Sequence, residues 1–156
     1  MQTTSSPYQE ILRTAMERES EARQLYLDMS ERVENQRAQE LLQELAAQEE
    51  GHRRRLEALL EHGILPDQLA RQSKRIEDLG ITDFLQETPL DENSDVQQVL
   101  IVAGKREAGS HDLYSALASI AEDEETETLF RFLAEQELEH KHRIESLYEE
   151  LYYTEV

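Results

Sequence analysis

The pentapeptide QEEGH at residues 48–52 has a close copy, QELEH, at residues 136–140. Both copies contain Glu-x-x-His, and they lie 88 residues apart. At that offset, without a gap, residues 11–61 and 99–149 are identical at 17 of 51 positions. Agreement at a third of the positions is far above what unrelated segments give. The chain is therefore an internal duplication of one unit.

Each copy lies in a pattern of apolar residues at helical spacing, which predicts two long helices in each repeat. The first helical hairpin is predicted over about residues 7–62. Ser6 is a good N-cap, and Pro7 suits the first helical position. Asn35 is expected to cap the second helix, which should end at Gly63.

Residues 63–93 have no counterpart in the repeat and are predicted to cross between the two hairpins, with a weak helix around residues 67–78. The second hairpin is expected over about residues 94–152, with Ser94 and Asp123 as the N-caps of its helices. A crossover of this length allows a twofold-like relation between the hairpins. The sequence therefore predicts an all-α protein built as a four-helix bundle.

A set of polar residues recurs in register inside the apolar stripes of the four helices. The set is Glu19, Glu49, His52, Glu107, Glu137 and His140. Residues three apart lie about 60° apart around a helix, so one face presents both members of Glu-x-x-His. Clustered carboxylates repel each other and are costly to bury without cations. The pattern therefore predicts a metal site to which each half contributes half of the ligands.

An alternative for these six residues is a network of buried hydrogen bonds among glutamate, histidine and tyrosine. Arg23, one turn after Glu19, would then be a local counter-charge. A third Glu-x-x-His match, Glu139 with His142, points away from the apolar stripe and is expected to be a solvated surface pair. Oxygen-rich ligation with one imidazole per ion favours iron or manganese.

The composition agrees with a helical protein and excludes several functions. With 156 residues, the chain is expected to be a single domain, residues 1–156, with a loose tail at residues 1–5. The net charge of −19 argues against nucleic acid and anionic membranes as partners. The lack of cysteine excludes disulfides, zinc ribbons and iron–sulfur clusters. No signal peptide or membrane span is evident, and a cytoplasmic location is expected.

The four helices with this ligand set resemble the ferritin-like di-iron carboxylate superfamily, and most closely its rubrerythrin-type branch. The resemblance covers residues 7–152, and the spacing of 30 residues from Glu19 to Glu49 is similar to that of rubrerythrin-type hairpins. It implies a ferritin-like bundle with a long crossover between the second and third helices, holding two iron ions, with manganese as the alternative. It also implies that the six polar residues are the ligands, with Glu49 and Glu137 as bridges.

The same resemblance implies that Tyr26 and Tyr114 hydrogen-bond ligand carboxylates. Core packing, with the hydroxyls bonded locally, is the alternative. Rubrerythrins carry an additional glutamate three residues after the third-helix ligand, where this sequence has Ser110. His111 is the candidate catalytic residue that would act in its place, and a partly exposed helix residue is the alternative. The cysteine-rich rubredoxin domain of full rubrerythrins has no counterpart here, so electrons would come from another protein.

Three functions remain open from the sequence. The first is an enzyme that reduces hydrogen peroxide, or dioxygen, at a di-iron centre with an external electron donor. The second is a ferroxidase or iron-handling protein, whose acidic surface would gather Fe(II). The third is a di-iron hydroxylase, which would need a roomy apolar pocket. We favour the first, in a homodimer whose long crossover would permit exchange of the second hairpin.

Overall fold

The computed structural model describes residues 6–85, 89–91 and 93–153. No strand occurs among these residues, which confirms the predicted all-α class. The elements are α1 (Pro7–Arg32), α2 (Gln36–His62), α3 (Pro66–Asp78), a 3₁₀ turn (Ile81–Leu85), α4 (Val96–Ile120) and α5 (Glu124–Tyr152). The predicted tail, residues 1–5, and residues 86–88 and 92 of the predicted crossover lie outside the described residues.

The predicted N-caps of three bundle helices are confirmed. Ser6, Asn35 and Asp123 each accept a hydrogen bond from the backbone N–H three residues further on. Ser6 also forms a capping box with Gln9, and Pro7 occupies the first helical position. Each cap satisfies one of the N–H groups that a helix start leaves without a partner.

The prediction of Ser94 as the N-cap of the third bundle helix is wrong by one residue. Asp95 is the N-cap, and its carboxylate accepts a hydrogen bond of 2.8 Å from the N–H of Gln98. The side chain of Gln98 accepts a bond from the Asp95 N–H in return. A capping box on Ser94 would need the side chain of Gln97, three residues further on. That side chain instead donates a hydrogen bond to the hydroxyl of Tyr148. A tertiary contact therefore decides between two neighbouring caps.

The helices pair as two antiparallel hairpins, α1 with α2 and α4 with α5. Contacts of α1 with α4 and of α2 with α5 close the four-helix bundle. In the crossover that connects α2 to α4 along the chain, α3 packs on α1. The 3₁₀ turn that follows lies against both α4 and α1. The long crossover thus contains the helix predicted around residues 67–78. Among the described helices, none is long and apolar enough to cross a membrane.

Two buried apolar clusters fill the bundle. Members of the first include Tyr8, Leu12, Leu56, Leu117 and Phe130. Members of the second include Met29, Leu42, Leu45, Leu100 and Ile144. Along α1, Ala15 belongs to the first cluster and Tyr26 to the second, and the buried Glu19 lies between them. In α2, α4 and α5, the buried residues also pass from one cluster to the other at this level, so a polar layer separates the two apolar clusters.

Candidate metal centre

The six polar residues singled out from the repeat all lie in this layer, and each is exposed by 3% or less. Glu19 comes from α1, Glu49 and His52 from α2, Glu107 from α4, and Glu137 and His140 from α5. The two pairs share a helix face because their members are three residues apart. The surface pair Glu139 and His142 is exposed, as expected.

The six side chains form two overlapping groups of four in which one ligand atom per residue lies within 4.8 Å of the others, and a group of three, Glu49, His52 and His140, connects them. One group contains Glu19, Glu49, His52 and Glu137, and the other contains Glu107, Glu49, Glu137 and His140. Both groups include Glu49 and Glu137, the residues expected to bridge. The repeat offset of 88 residues converts one group into the other. The centre therefore has the twofold-like symmetry that the repeat predicts.

Both histidines face carboxylates through Nδ1. The Nδ1 of His52 lies 2.8 Å from Oε1 of Glu137 and 3.5 Å from Oε1 of Glu49. The Nδ1 of His140 lies 2.6 Å from Oε1 of Glu49, but the two atoms are not aligned as a hydrogen bond. The two imidazole rings stack with their centroids 5.5 Å apart. Each ring thus directs one nitrogen between carboxylates from both halves.

Two buried tyrosines connect the repeats at this layer. The hydroxyl of Tyr26 donates a hydrogen bond to Oε1 of Glu107, and that of Tyr114 donates to Oε1 of Glu19 at 2.5 Å. Burial and the nearby carboxylates raise the pKa of both phenols well above the usual range, so both remain donors. Neither hydroxyl is bonded locally. Arg23, the candidate local partner of Glu19, is exposed.

A family comparison decides the relationship of the chain to known proteins. Residues 10–90 and 98–156 match the model of the Rubrerythrin family. The chain belongs to the rubrerythrin family. Searches of curated proteins and of solved structures give no match. All six residues of the polar layer fall within the matched ranges, and the resemblance found in the sequence is confirmed.

The electrostatics of this rubrerythrin-family centre differ between its carboxyl groups. Burial raises the pKa of Glu49 and of Glu137 well above the usual range, and the charges of neighbouring glutamates raise both further. Burial opposes ionisation of Glu19 too, but its neighbours outweigh it and lower the pKa of Glu19. These neighbours include His52, whose Nδ1 lies 3.6 Å from Oε2 of Glu19, and Tyr114, which donates a hydrogen bond to Oε1. Without a metal ion, the two shared carboxyl groups therefore retain protons that cations would displace.

Several buried atoms of the centre lack a hydrogen-bond partner among the described residues. They are Oε2 of Glu19, Oε1 of Glu49, Oε2 of Glu107, Oε2 of Glu137 and Nδ1 of His140. One such atom left unsatisfied costs about 1–3 kcal/mol. Cations would satisfy them all, and two oxygen-rich groups with one imidazole each suit iron or manganese. The donor set and the family support a di-iron protein, while the number and identity of the ions remain predictions.

Sequence reasoning missed Gln48. The Nε2–H of His140 on α5 donates a hydrogen bond of 2.6 Å to Oε1 of Gln48 on α2. A partner on the outer nitrogen fixes the tautomer and the ring orientation, and so directs Nδ1 at the carboxylates. The repeat contained a signal for this residue, because Gln48 and Gln136 match at the same offset, directly before Glu49 and Glu137.

Ser110 and His111, which follow Glu107 on α4, lie outside both groups. Ser110 lines a cavity between α1 and α4 together with three of the clustered glutamates. His111 belongs to neither group, and its Nδ1–H donates to the carbonyl of Ala134 at 2.8 Å. A role for His111 as a ligand or proton donor remains a prediction, and its Nε2 is the atom that would have to fulfil it.

Proposed function

We propose that the chain is a di-iron oxidoreductase that reduces hydrogen peroxide. The observation that supports this function is the cavity between α1 and α4, which Glu19, Glu49, Glu107 and Tyr26 help to line. Its volume is about 60 Å³. Pockets that take organic ligands are larger, at roughly 300–1,000 Å³. A cavity of this size therefore favours hydrogen peroxide or dioxygen, which have two heavy atoms, over the organic substrate of a hydroxylase.

In this proposal the six clustered residues hold two iron ions, with Glu49 and Glu137 shared between them. Two bound Fe(II) ions would supply two electrons, which with two protons convert one hydrogen peroxide into two waters. The 156 residues contain no cysteine for a rubredoxin-type iron site. The proposal includes a separate electron-donor protein.

The protein's own residues orient the ligands and exclude bulk water. Tyr26 and Tyr114 hold one carboxylate oxygen each on Glu107 and Glu19. Gln48 holds the ring of His140. Partners of this kind keep ligands in position before the substrate binds. The apolar clusters on both sides of the layer keep solvent away from it.

A ferroxidase or iron-handling function is the second candidate. The net charge of −19 favours it, because a strongly acidic surface raises the local concentration of cations. The two functions differ in the oxidant and in the amount of iron taken up.

We also propose a homodimer, to be tested by light scattering. Exchange of hairpins is not needed, because the six residues converge within one chain.

Stopped-flow oxidation of the di-ferrous protein separates the candidates. A rate constant with hydrogen peroxide far above that with dioxygen supports peroxide reduction. Oxygen-driven uptake of many irons per chain supports iron handling and would overturn the first proposal. Glu137→Ala should remove the rapid oxidation, since it lacks a shared carboxylate. Glu139→Ala should retain it, because Glu139 is an exposed residue two positions after Glu137.

A further inference from the structure

The crossover places an aromatic side chain at the cavity between α1 and α4. Phe84, in the 3₁₀ turn, lines the cavity with Glu19 and Glu107, and it is also 42% exposed to solvent. Phe84 therefore forms part of the cavity wall and also contacts solvent. This part of the chain has no counterpart in the repeat, so the arrangement could not be inferred from the duplicated pattern.

The packing of the 3₁₀ turn fixes the position of Phe84. Ile81 is 2% exposed and belongs to the first apolar cluster. Gly80 has a φ of +62°, which favours glycine, and its carbonyl accepts a hydrogen bond of 3.0 Å from the N–H of Asp83. The carbonyl oxygen of Phe84 lies 3.9 Å from the place where a Cβ on Gly109 would stand. The turn is thus anchored in the core at one end and lies directly on α4 at the other.

The opposite side of the centre, between α2 and α5, is covered by rings. His52 and His140 stack there, and Phe132 meets His52 edge-on with the ring centroids 6.3 Å apart. The guanidinium carbon of Arg55 lies 4.6 Å from the centroid of Phe132. Small molecules are therefore expected to reach the carboxylates from the α1–α4 side, past Phe84.

We propose that Phe84 determines the substrate specificity of the centre by size. Hydrogen peroxide and dioxygen pass it, whereas aryl and bulky alkyl hydroperoxides are excluded. The identity of these substrates rests on the proposed function. The size limit itself applies to any external ligand of a metal ion held by the six residues, so it can be measured without turnover.

Binding of two carboxylate probes to the Co(II)-loaded protein tests the size limit. Acetate and benzoate carry the same charge, so Lys105 and Arg106, which also line the cavity, attract both. Visible absorption of the bound Co(II) reports binding. In Phe84→Ala, the ratio of the apparent Kd of benzoate to that of acetate should fall by about tenfold or more. Pockets discriminate against a ligand that is too large by a factor of at least this size. Leu79→Ala is the matched control, because Leu79 is an exposed residue of the same crossover. It should leave the ratio unchanged.

An unchanged benzoate-to-acetate ratio in Phe84→Ala would overturn the proposal. So would the absence of Co(II) binding at the six residues. A second variant, Phe84→Trp, adds bulk at the same position and keeps the test decisive if the alanine variant folds poorly. It should weaken acetate binding, and an acetate Kd equal to that of the unsubstituted protein would also count against the size limit.

Oxidation of the di-ferrous protein by hydrogen peroxide and by cumene hydroperoxide separates this proposal from the proposed function. If hydrogen peroxide does not oxidise the unsubstituted protein, the proposed function fails, and the carboxylate titration still decides the role of Phe84. If hydrogen peroxide is fast, Phe84→Ala should raise the cumene hydroperoxide rate relative to the hydrogen peroxide rate by about tenfold. No rise would refute the size limit and leave the function standing.

Discussion

Tyr114 on α4 donates a hydrogen bond of 2.5 Å to Glu19 on α1, and Tyr26 on α1 donates in the same way to Glu107 on α4. Each tyrosine thus supports the glutamate of the other repeat. All four residues are buried. Hydrogen bonds to ionised groups are stronger than neutral ones, and a low local dielectric strengthens them further. The two bonds therefore couple the folding of the hairpins to the geometry of the metal centre.

Replacing Tyr114 with Phe removes one of these bonds with little change in volume. We expect the free energy of unfolding to fall by about 1.5–3 kcal/mol, the usual range for a hydrogen bond to a charged group. Metal affinity should fall by about 10–100-fold, because the carboxylate of Glu19 loses its orienting partner. Urea unfolding and metal titration measure the two effects. Tyr148→Phe is the control, since its hydroxyl bonds Gln97 instead, and it should leave metal affinity unchanged.

The metal-free protein should lose stability as the pH rises above about 5. Glu49 and Glu137 have folded-state pKa values raised well above the ordinary value of 4.5. Above that value the unfolded chain releases protons that the folded chain keeps, so the free energy of unfolding falls with rising pH until the folded pKa is passed. The lowered pKa of Glu19 has the opposite effect, but only in more acidic solution.

Melting midpoints of chelator-treated protein across this pH range test that expectation. Glu49→Gln removes one of the two groups, so it should flatten the dependence and raise the midpoint near pH 8. Glu139→Gln changes an exposed residue and should leave the slope as it was. A midpoint that rises steadily with pH in the unsubstituted protein would contradict the assigned direction.

Metal loading should stabilise the fold, because cations displace the retained protons and offset the repulsion among the carboxylates. A ligand at about 1,000 times its Kd adds about 4 kcal/mol, and 1 kcal/mol shifts the midpoint by about 2–4 °C at this chain length. Fe(II) without oxygen, or Mn(II), should therefore raise the midpoint by about 10 °C. Scanning calorimetry measures the shift, and equal midpoints at saturating metal would refute it.

Two glutamates on α5 provide a matched pair for testing the ligand set. Glu137 is 1% exposed and belongs to both ligand groups, whereas Glu139 is exposed. Glu137→Ala should abolish binding of two ions per chain, because one carboxylate shared by both groups is lost. Glu139→Ala should still bind two. Elemental analysis of dialysed protein gives the stoichiometry, and a loss in Glu139→Ala would mean that α5 presents a different face to the centre.

The polar layer could be found from one sequence because the duplication compares the chain with itself. Glu19 and Glu107 are single residues in long helices that also contain other acidic residues, yet they match at the repeat offset. Features that occur in only one part of the chain could not be found by comparing one repeat with the other. Phe84 lies in the crossover and has no counterpart, so its position depends on tertiary packing alone. Ser94 and Asp95 each precede a glutamine by three residues, so local rules could not choose between them.

His111→Ala tests the remaining catalytic prediction. If the Nε2–H of His111 supplies a proton to bound peroxide, the substitution should slow peroxide reduction by roughly 10²–10⁴-fold, as for other general acids. Occupancy of the metal centre should be retained, because His111 lies outside both ligand groups. His142→Ala, with an exposed histidine on α5, is the control. Unchanged turnover in His111→Ala would leave His111 with the structural role of bonding Ala134.

The sharing of Glu49 and Glu137 has a consequence for the history of the chain. A single hairpin carries three members of one ligand group and lacks the fourth, which the other hairpin provides. Two identical hairpins related by a twofold axis would complete both groups, as expected for an ancestor that assembled as a pair before gene duplication and fusion. After fusion, a change at either shared glutamate would damage both groups, so the two halves are expected to be constrained together at these positions. Positions outside the groups escape that restriction, and there Ala22 and Ser110 have diverged.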